Sequence, residues 1–474
     1  MSGLKTMTML AVALSVAAWS ASAGVTVSKS APRYFEKDGR GWIPTGVNIC
    51  FARNVETKGV MAARAEFEGW IASFAENGGD YVRLWLGNRF FEVMPEKPGE
   101  YDPVATETLL RVVRLCEKLG VKLKLTVASF RTVNPADWKG SHIYSQFFNR
   151  PLYSGIVHNM REFYASEKCR EIYLGKVRYL KSLGLDQSPA VICWELWNEI
   201  NATGGVADYA GWSDFMLGQF HALFSNQLAV QNLGSYSDPW AYRCYQQLGA
   251  AKGNDFLQVH RYLDPGAQID VCRGPMDVLA AQSVRDLWNV GRPMPILLAE
   301  TGAVKANHTG PSVCYDRDKE GTLLHDALFA PFFAGAAGCG QFWHWDCYIH
   351  DKNLWWHFRR FRRAIEGLDP VAEDFRPFYT ETDTLRIYGL QGRKTTVAWC
   401  RDKQCDWQWE LVDGKPVREL KGERVPFGGK EIVCYLPWED REVVVKGDRL
   451  PAFRRSIVLR FPSDSRFEDV FVAH

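Results

Sequence analysis

Between residues 42 and 345 the chain alternates short apolar runs with amphipathic stretches, and this alternation restricts the folds open to it. An apolar run bounded by turn signals is typical of a buried strand, and a stretch with a 3.6-residue apolar period is typical of a helix. Repeated strand–helix units favour a parallel sheet that is covered by helices. The sequence therefore predicts an α/β fold for this region.

The number of strand–helix units favours one type of α/β fold. We predict eight strands, at Ile43–Cys50, Tyr81–Leu86, Val121–Ala128, Ala190–Glu195, Leu228–Leu233, Phe256–Tyr262, Ile296–Glu300 and Gly340–Trp345. Helices are predicted between them, at Glu66–Asn77, Thr106–Leu119, Ser166–Leu183, Ser213–Phe224, Asp277–Val290 and Leu323–Phe333. Eight such units suit a closed (β/α)8 barrel. An open doubly wound sheet is the competing layout, and the absence of a GxGxxG turn after any strand weakens it.

The pattern changes after about Pro377. Short β-rich runs separated by turn signals predict a small C-terminal antiparallel β-sandwich. Its strands are predicted at Thr384–Leu390, Thr395–Cys400, Trp407–Leu411, Glu431–Leu436, Arg441–Val445, Ser456–Phe461 and Asp469–Ala473. We accordingly divide the chain into a barrel over 24–376 and a sandwich over 377–474. Trp407 and Trp409 could contact sugar there, but packing against the barrel is the favoured interpretation.

The first residues have the pattern of a signal peptide. Lys5 is followed by the apolar run from Met9 to Ala18, and Ala21-Ser22-Ala23 fits the small-residue cleavage pattern. We expect export, to the periplasm or outside the cell, with residues 1–23 removed near Ala23. No segment is apolar for long enough to span a membrane, so membrane insertion is not expected.

Charge and cysteine content exclude further classes of protein. The formal net charge is +2, which gives no electrostatic basis for nucleic-acid binding. The 12 cysteines are scattered and no CxxC pair occurs, so a zinc site is not expected. Cys400 with Cys405, and Cys339 with Cys347, could form disulfides. Buried free thiols are the favoured interpretation for most of the cysteines.

Two predicted strands end in a carboxylate. The apolar run from Ala190 continues to Asn198-Glu199, and the run from Pro295 ends at Glu300. In a barrel, the C-terminal ends of the strands meet at one face, where the active site lies. A pair of carboxylates is the minimal equipment for breaking a glycosidic bond. Glu195, deeper in its strand, has no explanation from the sequence.

Other predicted strands carry polar or aromatic residues at or near the same face. Arg83 lies in an otherwise apolar strand, where a buried arginine needs a carboxylate partner. His260 and Tyr262 point to the same side of their strand, because strand side chains alternate. Trp343 and its close neighbour Trp345 end the last strand. The order is thus Arg, Asn-Glu, His-x-Tyr, Glu and Trp, each on its own predicted strand.

In this order the chain resembles the clan of retaining β-glycoside hydrolases with a (β/α)8 barrel, and most of all family five, the cellulase and mannanase family. The resemblance covers roughly residues 30 to 375. It implies that Glu199 is the acid/base and Glu300 the nucleophile. It also implies that Arg83, Asn198, His260, Tyr262 and Trp343 support catalysis or bind substrate, with Trp345 as the rival of Trp343. No cofactor or metal is implied, and the partner is a β-linked oligo- or polysaccharide.

The chemistry of retention adds two expectations about charge. Arg83 and Tyr262 should keep Glu300 ionised for attack, and the surroundings of Glu199 should raise its pKa so that it begins protonated. Two alternatives remain: a non-catalytic carbohydrate-binding barrel and, less favoured, a metal-dependent hydrolase that uses His260. The sugar, the linkage, the mode of cleavage (endo or exo) and the oligomeric state stay open.

Overall fold

The computed structural model describes residues 24–134, 151–249, 251–427 and 431–463. The expected signal peptide and the predicted strand Asp469–Ala473 lie outside these ranges. At the start of the described chain, three short antiparallel strands pair in sequence order: β1 (Val25–Val27), β2 (Phe35–Lys37) and β3 (Arg40–Trp42). Among the described helices none combines the length and the apolar character needed to cross a membrane.

The predicted barrel is confirmed. Its strands are β4 (Gly46–Asn48), β5 (Tyr81–Trp85), β6 (Lys122–Ala128), β7 (Val191–Trp197), β8 (Leu228–Val230), β9 (Leu257–His260) and β10 (Ile296–Glu300). The first five form one parallel sheet, and β9 pairs with β10 in parallel. Parallel bridges join Ser235 to His260, and Phe342 to both Val47 and Thr301, so Phe342 occupies the eighth position. The predicted strand at Gly340–Trp345 is reduced to this bridge, because a π-helix begins at Trp345.

Helices follow the strands and cover the barrel. They are α1 (Val55–Lys58), α2 (Val60–Glu76), α3 (Pro103–Leu119), α4 (Pro151–Ser154), α5 (Met160–Ala165), α6 (Glu167–Ser182), α7 (Val206–Leu223), α8 (Ala241–Gly249), α9 (Met276–Trp288), α10 (Cys314–Arg317), α11 (Thr322–Phe333), α12 (Trp356–Ala364) and α13 (Pro370–Glu373). Helix α3 shows why they begin and end where they do. The Asp102 carboxylate accepts from two backbone N–H groups of the first turn, and Gly120 ends the helix with a left-handed φ of 73°.

The C-terminal region was predicted to be an antiparallel β-sandwich, and its antiparallel β-structure is confirmed, as one six-stranded and one two-stranded sheet. Its strands are β11 (Arg376–Glu381), β12 (Leu385–Gln391), β13 (Thr395–Asp402), β14 (Glu419–Leu420), β15 (Glu431–Leu436), β16 (Arg441–Lys446), β17 (Phe453–Arg454) and β18 (Ser456–Pro462). Six of them pair in the order β11, β12, β13, β18, β15, β16, and β14 pairs with β17. The predicted strand at Trp407–Leu411 is wrong. Gln408–Val412 forms a π-helical turn instead, with the Asp406 carboxylate accepting from the Trp409 N–H.

The central strands of this sheet, β12, β13 and β18, are buried on both faces. Alternate residues such as Ile387 and Ile457 form a small apolar core of their own, while Tyr388, Trp399 and Val458 join the core of the barrel. Trp407 donates from Nε1 to the Gly274 carbonyl at 3.0 Å, which agrees with a packing role. All 12 cysteines are unpaired, ten of them buried, so neither of the two candidate disulfides forms. The apolar surface on both faces explains why the thiols pack as small hydrophobic groups.

A buried ion pair connects the barrel to the sheet. Arg386 of β12 donates to both carboxylate oxygens of Asp277 in α9, at 2.6 and 2.9 Å, and the Tyr388 hydroxyl donates to the same carboxylate at 2.9 Å. Asp277 is completely buried and Arg386 is 7% exposed. Removing one partner of such a pair leaves the other charge buried and uncompensated.

We therefore expect Asp277→Asn to lower the free energy of unfolding by about 3 kcal/mol. The matched control is Asp374→Asn, which removes an exposed partner of Arg393 and should cost less than about 1 kcal/mol. Urea unfolding of both variants measures the difference. Equal losses in the two variants would contradict the interpretation of Asp277 and Arg386 as a stabilising connection.

Candidate active site

Glu199 is placed by a strained turn at the end of β7. Its φ of 52° and ψ of 58° are left-handed, which costs a residue with a side chain about 1–2 kcal/mol. Neighbouring side chains hold the turn. The Glu199 N–H donates to Asn232 Oδ1 at 2.7 Å, and Arg131 donates to the Glu199 carbonyl at 2.9 Å. A strained residue that its neighbours hold so firmly is typical of a functional position.

Glu300 is the last residue of β10, and both of its carboxylate oxygens are bonded. The Arg83 guanidinium donates to Oε1, and the Tyr262 hydroxyl donates to Oε2 at 2.6 Å. Burial raises the pKa of Tyr262 well above 10, and the charge of Glu300 raises it further. Tyr262 therefore keeps its proton and acts as a donor, so that the carboxylate is held in one orientation.

His260 lies between the two carboxylates. Its Nδ1 is 2.8 Å from Glu199 Oε1 and 3.4 Å from Glu300 Oε2. The other ring nitrogen, Nε2, is 3.0 Å from Asn232 Nδ2. Because Asn232 Oδ1 accepts from the backbone, its amide group donates to Nε2, and the hydrogen of a neutral ring must then be on Nδ1. His260 thus donates from Nδ1 to Glu199.

The distance between the Glu199 and Glu300 carboxylates bears on whether the site suits a retaining or an inverting mechanism. One oxygen of Glu199, one oxygen of Glu300 and a ring nitrogen of His260 all lie within 4.8 Å of one another. Carboxyl groups about 5–5.5 Å apart belong to the retaining mechanism, whereas inversion needs a wider gap for a water molecule. Coordination of a cation through Nδ1 would require the ring hydrogen to be on Nε2, where the Asn232 amide already donates.

The expected rise in the pKa of Glu199 is wrong for this structure. Burial raises its pKa, but the hydrogen bond from His260 and the charge of Arg131 outweigh burial and lower the pKa below 4.5. Arg131 donates to Glu199 Oε2 at 2.6 Å and also to the Asn198 carbonyl at 2.8 Å. The sequence reasoning omitted this arginine, which lies three residues beyond the end of β6.

The aromatic candidates differ in exposure. Trp343 is half-buried and packs against Trp85 with ring centroids 5.0 Å apart. Trp345 is completely buried and contacts Phe51 and Trp70. The Trp345 ring therefore has no accessible face for a sugar, and it packs against Trp343 with ring centroids 5.3 Å apart, which leaves it a supporting role.

The structure brings the remaining predicted residues together. Arg83 NH2 donates to Asn198 Oδ1 at 2.7 Å, so Arg83 connects Asn198 to Glu300. The sequence reasoning missed Asn232, which orients both Glu199 and His260. The available signal was position, because Asn232 follows the end of β8 by two residues, and polar groups just beyond barrel strands belong to the active face.

Comparison with solved structures gives the fold relationship. A structure named "Glycoside hydrolase" matches with a TM-score of 0.57 and 10% identity, over 94% of this chain and 97% of that one. The exo-β-1,4-mannosidase Op5Man5 from Opitutaceae bacterium strain TAV5 matches with a TM-score of 0.51 and 18% identity, over 72% of this chain and 62% of that one. A mutant of the family 5 mannosidase from Rhizomucor miehei matches with a TM-score of 0.49 and 14% identity, over 68% and 86%.

The chain shares its fold with solved glycoside hydrolases. No family model matches the sequence, and no curated protein matches it either. At these identities the likeness to a glycoside hydrolase concerns the fold, and the chemistry has to be argued from the site.

Proposed function

We propose that the protein is a retaining β-glycoside hydrolase. The observation that carries the proposal is the approach of Glu199 and Glu300 to within 4.8 Å, each with its own set of donors. Glu300 is bonded by an arginine and a tyrosine, which suits a nucleophile. Glu199 is bonded by His260 and lies closer to solvent, with 17% of its side chain exposed, which suits a group that exchanges protons.

In the first step, a Glu300 oxygen attacks the anomeric carbon and forms an ester bond to the sugar. The bond between the anomeric carbon and the leaving oxygen breaks, and Glu199 gives that oxygen its proton. Asn198 Oδ1 is held by Arg83, so the Asn198 amide hydrogens are available to donate to the sugar 2-hydroxyl. This contact strengthens as the ring becomes oxocarbenium-like.

In the second step, water enters on the side of Glu199. The Glu199 carboxylate takes a proton from the water, whose oxygen bonds to the anomeric carbon while the ester to Glu300 breaks. Two displacements leave the anomeric configuration unchanged. His260, which donates to Glu199, steadies the carboxylate form that this step requires.

A screen of aryl β-glycosides and β-linked polysaccharides tests the proposal, with product sizes recorded. Mannosides are the first arm, because one fold neighbour is named an exo-β-1,4-mannosidase, and glucosides, galactosides and host-type glycans follow. Proton NMR of the first product formed should show the β-anomer. An α-anomer would overturn the retaining mechanism, and sugar binding without turnover in every arm would favour the non-catalytic alternative.

The contact between Arg131 and Glu199 predicts a pH effect. Glu199 must be protonated to begin the reaction, and Arg131 favours the ionised form, so we expect Arg131→Met to raise the pKa of Glu199. The basic limb of the kcat/KM profile should then move to higher pH by about one unit. Arg131→Lys keeps the charge and should move the limb less. An unchanged basic limb in Arg131→Met would contradict the assignment of Glu199 as the acid.

A further inference from the structure

Below the active site, the barrel interior contains a group of buried charges that the proposed reaction does not use. Lys124 of β6 and Glu195 of β7 are fully buried, and the Lys124 ammonium is 3.1 Å from Glu195 Oε2. Gln258 of β9 donates to the same oxygen at 2.6 Å and accepts from Lys124. We call Lys124, Glu195 and Gln258 the interior network.

The interior network is in direct contact with Arg83. The Arg83 guanidinium donates to Glu195 Oε1 from both NH2 and Nε, the latter at 3.1 Å. Thr126 donates to that oxygen at 3.0 Å. Burial raises the pKa of Glu195, but Arg83 and Lys124 lower it more, to about 2. Glu195 is therefore ionised, and Arg83 lies between two carboxylates, Glu195 on one side and Glu300 on the other.

The formal charges of the buried side chains around Arg83 balance one another. Burial lowers the pKa of Lys124, and the charge of Glu195 opposes this shift. With Lys124 protonated, the two cations Arg83 and Lys124 balance the two carboxylates Glu195 and Glu300, so the buried group is neutral before the reaction. When Glu300 becomes an ester it loses its charge, and Arg83 would be a buried cation with no carboxylate if Glu195 were absent. A buried unpaired charge is costly, so a second partner for Arg83 matters most at that stage.

We propose that Glu195 and Lys124 are positioning residues that act through Arg83. Glu195 fixes the guanidinium in both steps of the reaction. Lys124 balances the negative charge of Glu195. The positive charge of Arg83 is then not cancelled by Glu195, and it can stabilise the Glu300 carboxylate when the ester breaks. This inference rests on the proposed function for its catalytic part. The charge balance itself concerns the protein with or without a substrate.

Three full-length variants test the charge balance: Glu195→Gln, Lys124→Met and the double variant. In the proposed mechanism, the acid limb of the kcat/KM profile reflects ionisation of Glu300. Glu195→Gln leaves the buried group one charge more positive, which favours the Glu300 carboxylate, so the acid limb should move to lower pH by about one unit. Lys124→Met leaves the group more negative and should move the limb the opposite way. The double variant is neutral again and should return to the wild-type position.

All three variants keep the titratable and charged groups that face Glu300 from the surrounding elements: Arg83, Cys50, Glu199, Tyr245, His260 and Tyr262. A role confined to packing would make the double variant at least as impaired as either single variant. Recovery of the acid limb in the double variant would support the proposal. Failure of the single variants to move the limb in opposite directions would overturn it.

A measurement without substrate separates this inference from the proposed function. In protein labelled with ¹³C at glutamate carboxyl carbons, the Glu300 signal is identified by its loss in Glu300→Gln. The pH at which this signal titrates should move down in Glu195→Gln, up in Lys124→Met, and back in the double variant. If no glycoside is cleaved but the signal moves in this order, the charge balance holds and the proposed function fails. If Glu195→Gln does not fold, Lys124→Met and the double variant still decide the outcome.

Discussion

Glu300→Gln should reduce kcat/KM for the best aryl β-glycoside by at least about 10⁴-fold, because the amide cannot form the ester with the anomeric carbon. The fold should be retained. A glutamine oxygen can still accept from Arg83, and the Tyr262 hydroxyl can rotate to accept from the new amide. Initial rates and near-UV circular dichroism measure the two expectations separately.

The control for Glu300 uses the stereochemistry of rescue. In Glu300→Ala, azide can occupy the space of the lost carboxylate and attack from that side, so the product should be an α-glycosyl azide. Glu373→Gln, at a half-buried carboxylate that accepts from backbone N–H groups at the start of β13, should leave the rate unchanged. A Glu300→Gln protein with full activity would refute the double-displacement mechanism proposed for this site.

Glu199→Ala should show a loss that depends on the leaving group. For substrates whose leaving oxygen needs a proton, we expect a loss of about 10²–10⁴-fold, the range for general acid catalysis. For dinitrophenyl glycosides, whose leaving group is stable as an anion, the first step should be nearly unaffected. Stopped-flow measurement of the dinitrophenolate burst separates this step from the slower release of sugar.

The azide product distinguishes Glu199 from Glu300. In Glu199→Ala, azide should enter on the side of the acid/base and attack the ester, which gives a β-glycosyl azide. An equal loss for all leaving groups would contradict the assignment of Glu199 as the proton donor. The opposite products from the two alanine variants would assign the two roles without reference to any relative.

The barrel and most of the residues at its mouth could be predicted from the sequence. Strand periodicity located β5, β7 and β10 to within a few residues, and the side-chain alternation of His260 and Tyr262 follows from strand geometry. The short strands were harder to predict. The eighth barrel position is a single bridge at Phe342, and a local π-helix after it cannot be recognised from hydrophobic pattern.

Loop residues were the main omission. Arg131 and Asn232 lie in segments without regular periodicity, so only their positions just beyond barrel strands could have singled them out. Yet Arg131, together with the hydrogen bond from His260, lowers the pKa of Glu199 where a rise was expected, and Asn232 determines which nitrogen of His260 carries the hydrogen. The sequence also could not predict that Trp343 is half-buried and Trp345 fully buried. Two tryptophans so close in sequence cannot be distinguished until the path of the chain is known.

By itself, the sequence determined the strand–helix order and therefore which residues could meet at the barrel mouth, because the ends of parallel strands in a closed barrel share one face. Only the tertiary structure decided the electrostatic environment of the catalytic carboxylates. The partners of Glu199, Glu195 and Arg83 come from different strands and loops, and electrostatic effects depend on distances of a few ångströms that sequence spacing does not contain.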